Sequence, residues 1–76
     1  GYIMIIDNNI ILDENNRTIT TSNNIDTLDE VDILINGLFA YQKDDIESIS
    51  DNIITIKPGL NIEWDTDVIM VIYGIL

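Results

Sequence analysis

Cysteine and histidine are absent from this chain of 76 residues, and alanine and proline each occur once. Without cysteine or histidine, neither disulfides nor the usual zinc ligands can hold the fold together. A serine hydrolase is excluded as well, because Ser22, Ser48 and Ser50 lie in or near predicted turns and have no histidine as a base. Hydrophobic packing must stabilise the one small domain that this length allows, and we expect neither an enzyme nor a cofactor.

Basic residues are scarce too: Arg17, Lys43 and Lys57 stand against fourteen acids, so the formal net charge is −11. Such a surface repels phosphate backbones and anionic lipid, and we therefore expect no nucleic-acid partner. The apolar runs are far shorter than the roughly 20 residues that a spanning helix needs, so we expect no membrane insertion. Because the chain begins at Gly1 without an initiator methionine, we expect a domain cut from a longer protein, a processed chain or a tag remnant.

The composition favours β-strands over helices, since eighteen isoleucines and one alanine suit a pleated surface. Asparagine doublets at 8–9, 15–16 and 23–24 fall between the apolar runs, where turns belong. The predicted elements are strands at 2–6, 10–12, 17–21, 53–56 and 67–73, a hairpin at 31–41, a weak strand or helical turn at 46–49, and a loop or single helical turn at 25–30. This spacing predicts that residues 1–76 form one all-β domain, a small antiparallel β-sandwich with Greek-key-like order and about seven short strands.

The clearest local signal is the hairpin at 31–41. Val31, Ile33 and Ile35 alternate with Asp32 and Asn36, which is the period of a half-buried strand. Asn36 and Gly37 follow, and both residue types accept the positive φ angles that a two-residue hairpin turn requires. We therefore predict a tight turn at these two positions, and a second turn at Asp51-Asn52.

The first and last predicted strands are apolar on both faces, which is unusual in a domain of this size because an antiparallel strand normally has one wet face. Either both strands are central and covered by loops, or one face is buried against another subunit. The second alternative makes five residues candidates for an oligomer interface: Ile3, Ile5, Val68, Met70 and Ile72.

Acidic pairs are the remaining candidates for chemistry. Asp44-Asp45 and the acids at 65 and 67 have the residue types of a glycosidase pair, but adjacent acids in turns are usually solvated. The segments 65–67 and 13–16 offer hard oxygen ligands for calcium, yet neither follows the twelve-residue loop with its distal glutamate. We interpret these acids as turn residues and predict no metal site.

Trp64 is the sole tryptophan and lies in the least regular segment of the chain. Large aromatic rings in a small sandwich usually belong to the core, and some serve as platforms on which sugar rings stack. Trp64 is therefore the candidate for an aromatic that faces a ligand.

Residues 30–73 resemble a recurrent module of bacteriophage tail, tail-fibre and head-appendage proteins. The resemblance is carried by the run from Val31 to Leu38 with its Asn-Gly turn, by Tyr41, by Asp51-Asn52 before the strand at 53–56, and by the closing run from Asp67 to Tyr73. It implies a compact β domain in fibres, baseplates, collars or head appendages, commonly assembled as homotrimers. An aromatic and a glycine around the middle turn are frequent in the family, whereas this chain has Ile46, Glu47 and Asp51-Asn52 there.

From this resemblance we expect a non-enzymatic structural or attachment module of a phage virion, located in the virion. The expected partners are further copies of the chain, with a trimer favoured, other virion proteins, and a host-surface glycan. One alternative is a small acidic inhibitor that mimics nucleic acid, which would need carboxylates in rows at phosphate-like spacing. Another is a carbohydrate-binding module that uses Trp64.

Overall fold

The computed structural model describes residues 3–25, 31–40 and 45–75, and for residues 39 and 40 it describes the backbone alone. These residues form eight strands, where the sequence predicts about seven. The strands are β1 Ile3–Asp7, β2 Ile11–Asp13, β3 Thr18–Thr20, β4 Val31–Ile35, β5 Leu38–Ala40, β6 Ile46–Ser50, β7 Ile53–Ile56 and β8 Ile69–Ile75. None of the described residues forms a helix long and apolar enough to cross a membrane.

The strands form two four-stranded antiparallel sheets. The first sheet has the order β1-β8-β4-β5 and the second sheet has the order β2-β3-β7-β6. Three hairpins, β2-β3, β4-β5 and β6-β7, each stay within one sheet, and successive hairpins alternate between the sheets. The longest strand, β8, lies between β1 and β4. Because β1 is the first strand and β8 the last, their pairing brings the two ends of the described chain together.

The core lies between the sheets and consists mainly of isoleucine. Alternate residues of each strand point inward, because successive side chains of a strand point to opposite faces. Side chains from β3, β4, β6, β7 and β8 form a single buried cluster: Ile19, Val31, Ile33, Ile46, Ile54, Ile56, Ile69, Val71 and Tyr73, joined by Ile25 and Ile62 from connecting segments. Contact between inner faces of both sheets confirms the predicted all-β antiparallel sandwich.

Both predicted hairpin turns are present. Asn36 and Gly37 have φ angles of 53° and 84°, and Ile35 pairs with Leu38 across them, so the turn has two residues, both at positive φ. Asp51 also has a positive φ, 54°, in the turn that joins β6 to β7. The ambiguous segment at 46–49 is part of strand β6, with an irregular register between Ile46 and Ser48.

Strand boundaries differ from those predicted, most of all at the last strand. It begins at Ile69 instead of Asp67, because Asn36 takes over the end of the ladder: its backbone N–H donates to the carbonyl of Val68 at 2.8 Å, and the N–H of Val68 donates to Asn36 Oδ1 at 2.9 Å. Strand β1 ends at Asp7, which the sequence places in a turn. Residues 26–30 of the predicted loop or helical turn at 25–30 lie outside the described residues, as do Tyr41 of the resembling region and Asp44 of the acid pair.

We predict that Gly37→Val lowers the free energy of unfolding by about 1–2 kcal/mol, since a β-branched side chain is disfavoured at positive φ. An added Cβ at Gly37 would meet no atom within 4 Å, so the cost comes from the backbone alone. The melting temperature should fall by about 4–8 °C per kcal/mol in a domain of this size.

The matched control is Gly59→Val. Gly59 is also in open space, with no contact within 4 Å, and it lies outside the positive-φ region. Equal melting temperatures for the two variants would contradict the strained turn at Asn36 and Gly37.

Candidate functional site

The outer faces of the two sheets differ in chemistry. On the second sheet the outward residues are mainly hydroxyl-bearing: Thr18 and Thr20 on β3, Thr55 on β7, and Ser48 and Ser50 on β6, together with Ile11, Asp13 and Ile53. Apolar residues inward and polar residues outward are what an antiparallel sheet shows when one of its faces contacts water. This face is therefore mainly polar, with Ile11 and Ile53 as its exposed apolar side chains.

The outer face of the first sheet is apolar. We define the apolar face as Met4 and Ile6 of β1, Leu34 of β4, and Met70 and Ile72 of β8. Met4 and Ile6 are 51% and 64% exposed, and the other three are half-buried. Ile72 lies opposite Ile6 and Met70 lies opposite Leu34 in the paired strands, so the apolar side chains are neighbours on one face, with Asp32 at its border. Contiguous apolar surface of this kind marks interaction sites in soluble proteins.

The structure separates the five interface candidates. Met70 and Ile72 belong to the apolar face, whereas Ile5 packs against the core from the inner side of β1. Ile3 lies on the same side as Ile5 but is 64% exposed at the start of the strand. Val68 is 68% exposed and precedes β8, beside the Asn36 turn. Sequence alternation could have added Met4 and Ile6 to the candidates, but it could not reveal which face of each strand is the inner one.

A buried polar cluster ties β1 to β8 on the inner side. The hydroxyl of Tyr73, which is fully buried, donates to Asp7 Oδ2 at 2.7 Å. The same carboxylate accepts hydrogen bonds from the Ser22 N–H at 2.7 Å, the Ser22 hydroxyl at 3.0 Å and the Asn9 N–H at 3.1 Å. The Asn23 N–H donates to the Tyr73 hydroxyl oxygen at 3.2 Å. Asp7 is 4% exposed. Its burial was not predicted, because in the sequence it resembles an ordinary turn residue.

The ionised form of Asp7 is favoured in this cluster. Burial by itself raises the pKa of the carboxyl, but the hydrogen bonds from Ser22, Tyr73 and Asn9 together outweigh burial and hold the pKa below its ordinary value. A carboxylate that accepts several hydrogen bonds is a poor proton acceptor. Both oxygens of Asp7 already accept two hydrogen bonds each from protein donors. The arrangement therefore stabilises the fold and offers no general base.

The acids considered as calcium ligands act within turns. Asp67 Oδ1 accepts from the Asn36 side-chain amide, and its Oδ2 accepts from the Glu63 N–H, both at 2.9 Å. Asp13 accepts from the Asn16 side-chain amide at 2.8 Å and from the Asn16 N–H at 3.2 Å, and these hydrogen bonds lower the pKa of its carboxyl. No group of three or more acids that could hold a metal ion occurs among the described residues.

Trp64 is half-buried against the core and is covered in part by Arg17. The Arg17 guanidinium lies over the Trp64 ring, 5.8 Å from its centroid, which is cation–π geometry. The same guanidinium donates to the carbonyl oxygens of Lys57 at 2.8 Å and Leu60 at 2.7 Å. Arg17 therefore fastens the segment after β7 to the turn before β3, and it occupies a position over the ring that a stacked sugar would need.

An open cleft of about 340 Å³ lies at the end of the sandwich near the Asn36 turn. Its lining residues are Ile35, Asn36, Leu38, Asp45, Leu60, Asn61 and Asp67. Trp64 is not among them, so the cleft and the candidate aromatic do not form one ligand site.

Comparison of the chain with known proteins found no similarity: no family model matches it, and neither a curated protein nor a solved structure does. The candidate functional site is the apolar face, and it is chosen on physical grounds, because it is an exposed apolar surface.

We predict that Asp7→Asn lowers the free energy of unfolding by about 1–3 kcal/mol, the cost of leaving buried polar groups without partners. Two of the four donors are backbone N–H groups, of Asn9 and Ser22, on different carboxylate oxygens, so an amide NH₂ would face one of them in either orientation. Asp65→Asn, the same change at an exposed position, should leave the melting temperature almost unchanged.

The contribution of Asp7 to stability should also depend on pH. Because the folded pKa of Asp7 is lowered, its contribution is present above the unfolded pKa and is lost as pH falls through the folded pKa. Between about pH 5 and the lowered folded value, the native chain should lose more stability than Asp7→Asn does. Parallel pH profiles of the two melting temperatures would contradict this assignment.

We predict that Arg17→Met lowers the free energy of unfolding by about 1.5–3 kcal/mol, because the carbonyl oxygens of Lys57 and Leu60 lose hydrogen bonds from a charged donor. Arg17→Lys should fall in between, since an ammonium cannot match the planar fork. The readouts are thermal unfolding and the emission of the sole tryptophan, which should shift when its covering cation is removed. Unchanged emission in both variants would contradict the contact with Trp64.

Proposed function

We propose that this domain is a non-enzymatic structural module that assembles with further copies of itself through the apolar face of its first sheet. The supporting observation is the contrast between the two outer faces. The second sheet presents five threonine and serine side chains together with Ile11, Asp13 and Ile53, whereas the first sheet presents Met4, Ile6, Leu34, Met70 and Ile72. Both outer faces belong to the same isoleucine-rich chain. The overall composition therefore does not explain why one outer face is apolar and the other is mainly polar.

The charge of the chain restricts where another copy can bind. At a formal net charge of −11, two copies repel each other, and they repel most where acids meet. Among the described outward residues of the first sheet, Asp32 is the one acid, and it is half-buried. Association through the apolar face therefore removes apolar area from water and brings few acids together.

The resemblance to phage tail and appendage modules supplies the biological setting that we propose, a virion fibre, baseplate or head appendage. A spacer domain in such an assembly needs a rigid shape and a face for its neighbours. A two-sheet fold with one polar and one apolar outer face has both properties.

The two alternative functions have weaker support. A nucleic-acid mimic needs rows of carboxylates, whereas Asp13, Asp51 and Asp67 lie in or beside separate turns at different places on the sandwich. A carbohydrate-binding module needs an open aromatic platform, whereas Arg17 lies over Trp64.

The test is sedimentation or light scattering as a function of concentration, for the native chain and two lysine variants. Met70→Lys places a charge in the apolar face, and we expect it to weaken self-association by at least about ten-fold. Ile53→Lys makes the same change in charge on the outer face of the second sheet, where Ile53 is 42% exposed, and it should leave self-association intact. A native chain that stays monomeric at all concentrations, or equal effects of both variants, would contradict the proposal.

A further inference from the structure

Four strands lie at the edges of the two sheets, and three of them are protected against pairing with another chain. Strand β2 is three residues long and carries Asp13, and β5 is also three residues long. Strand β6 has exposed Glu47 and an irregular register between Ile46 and Ser48. Short length, charge and bulges are the devices by which proteins prevent edge-to-edge association.

Strand β1 has neither short length nor a bulge, and its one charge is at its last residue, Asp7. It has five residues in regular register with β8, from Ile3 opposite Ile75 to Asp7 opposite Val71. Its other edge pairs with no described strand, so alternate backbone N–H and C=O groups point away from the sheet. Ile3, Met4 and Ile6 are all at least half exposed.

The one charge on β1 does not block this edge. Asp7 lies at the last position of the strand, and its carboxylate is turned inward and bound by Tyr73, Ser22 and Asn9. The preceding residues, from Ile3 to Ile6, carry no charge at all in a chain whose formal net charge is −11. Of the two edge strands that have five residues, β1 and β6, β1 is therefore the one on which a second copy of this chain meets less electrostatic repulsion.

We infer that β1 pairs antiparallel with β1 of a second copy, which joins the two first sheets into one continuous sheet. This inference rests on the proposed self-assembly and adds an edge contact to it, because the pairing of β1 leaves the two apolar faces side by side and uncovered. A two-fold axis perpendicular to the sheet at Ile5 keeps both apolar faces on the same side and sets Met4 opposite Ile6 of the second copy. Each of these exposed side chains then gains an apolar cross-strand neighbour.

The joined sheet also makes the apolar faces of both copies continuous. Met4 and Ile6 lie between the new strand and the half-buried Ile72 on the same face. A join of one short strand buries less than the roughly 800 Å² per partner of a standard interface, so the dimer should be weak. The concentration series must therefore reach about 1 mM, at about 0.15 M salt to screen the acids.

The first test compares two lysine variants by sedimentation equilibrium. Ile6→Lys places a charge on the β1 edge, and Ile11→Lys makes the same change on the β2 edge; the two residues are 64% and 67% exposed. Each variant has a formal net charge of −10 instead of −11, so non-specific repulsion falls equally in both. We expect Ile6→Lys to weaken dimerisation at least about ten-fold while Ile11→Lys dimerises like the native chain.

The second test needs no variant. Amide hydrogen exchange of residues 3–7 is measured in the native chain at low and high concentration. Those N–H groups that do not bond to β8 should exchange about ten-fold more slowly once nine-tenths of the chain is dimeric. Unchanged exchange at these amides in an associated sample would overturn edge pairing.

Because Ile6 lies both on the β1 edge and in the apolar face, weaker association of Ile6→Lys supports both proposals, and amide exchange at β1 separates the inference from the proposed function. A trimer, or a dimer whose β1 amides stay exposed, overturns the pairing of β1 and leaves assembly through the apolar face standing. Equal loss of association in both lysine variants also overturns the pairing. A chain that is monomeric up to the highest concentration overturns both.

Discussion

The hydrogen bond from the buried Tyr73 hydroxyl to the Asp7 carboxylate ties an edge strand of the first sheet to its longest strand. It joins residues 66 positions apart and fixes β1, which has a single neighbour, to the long central strand β8. Ser22 and Asn23 bond to the same pair, so the chain leaving β3 is attached at the same point. Since a charged acceptor buried without donors costs several kcal/mol, the cluster is maintained as a unit.

This anchoring explains how a small domain can keep an exposed edge strand. A strand with apolar residues on both faces and one free edge would otherwise pair in several registers. Because Asp7 is bound at one end and Ile5 packs into the core, β1 is held in a single register against β8. The exposed side chains of Met4 and Ile6 are thereby presented at defined positions beside Ile72.

Hairpins were predictable because their signals are local. Asn36-Gly37 and Asp51-Asn52 need particular φ angles within two residues, and the structure has turns at both places. The start of the last strand was not predictable, because the backbone and side chain of Asn36 end the ladder from 32 residues away. Likewise Asp7 resembles any turn acid until its donors, on residues 9, 22 and 73, are brought together by folding.

The sequence by itself determined the all-β class, the turns, the absence of disulfides and the strongly acidic surface, since these follow from residue types and short-range periodicity. Tertiary structure decided which face of each strand is inner. Alternation shows that Met70 and Ile72 share a face, but both faces of β8 are apolar, and hydrophobicity gives no preference between them. The second sheet decides which face of β8 is the inner one, because its buried residues Ile19, Ile54 and Ile56 share one core cluster with Ile69, Val71 and Tyr73. The opposite face was left to water or to a partner because a two-layer sandwich has one interior.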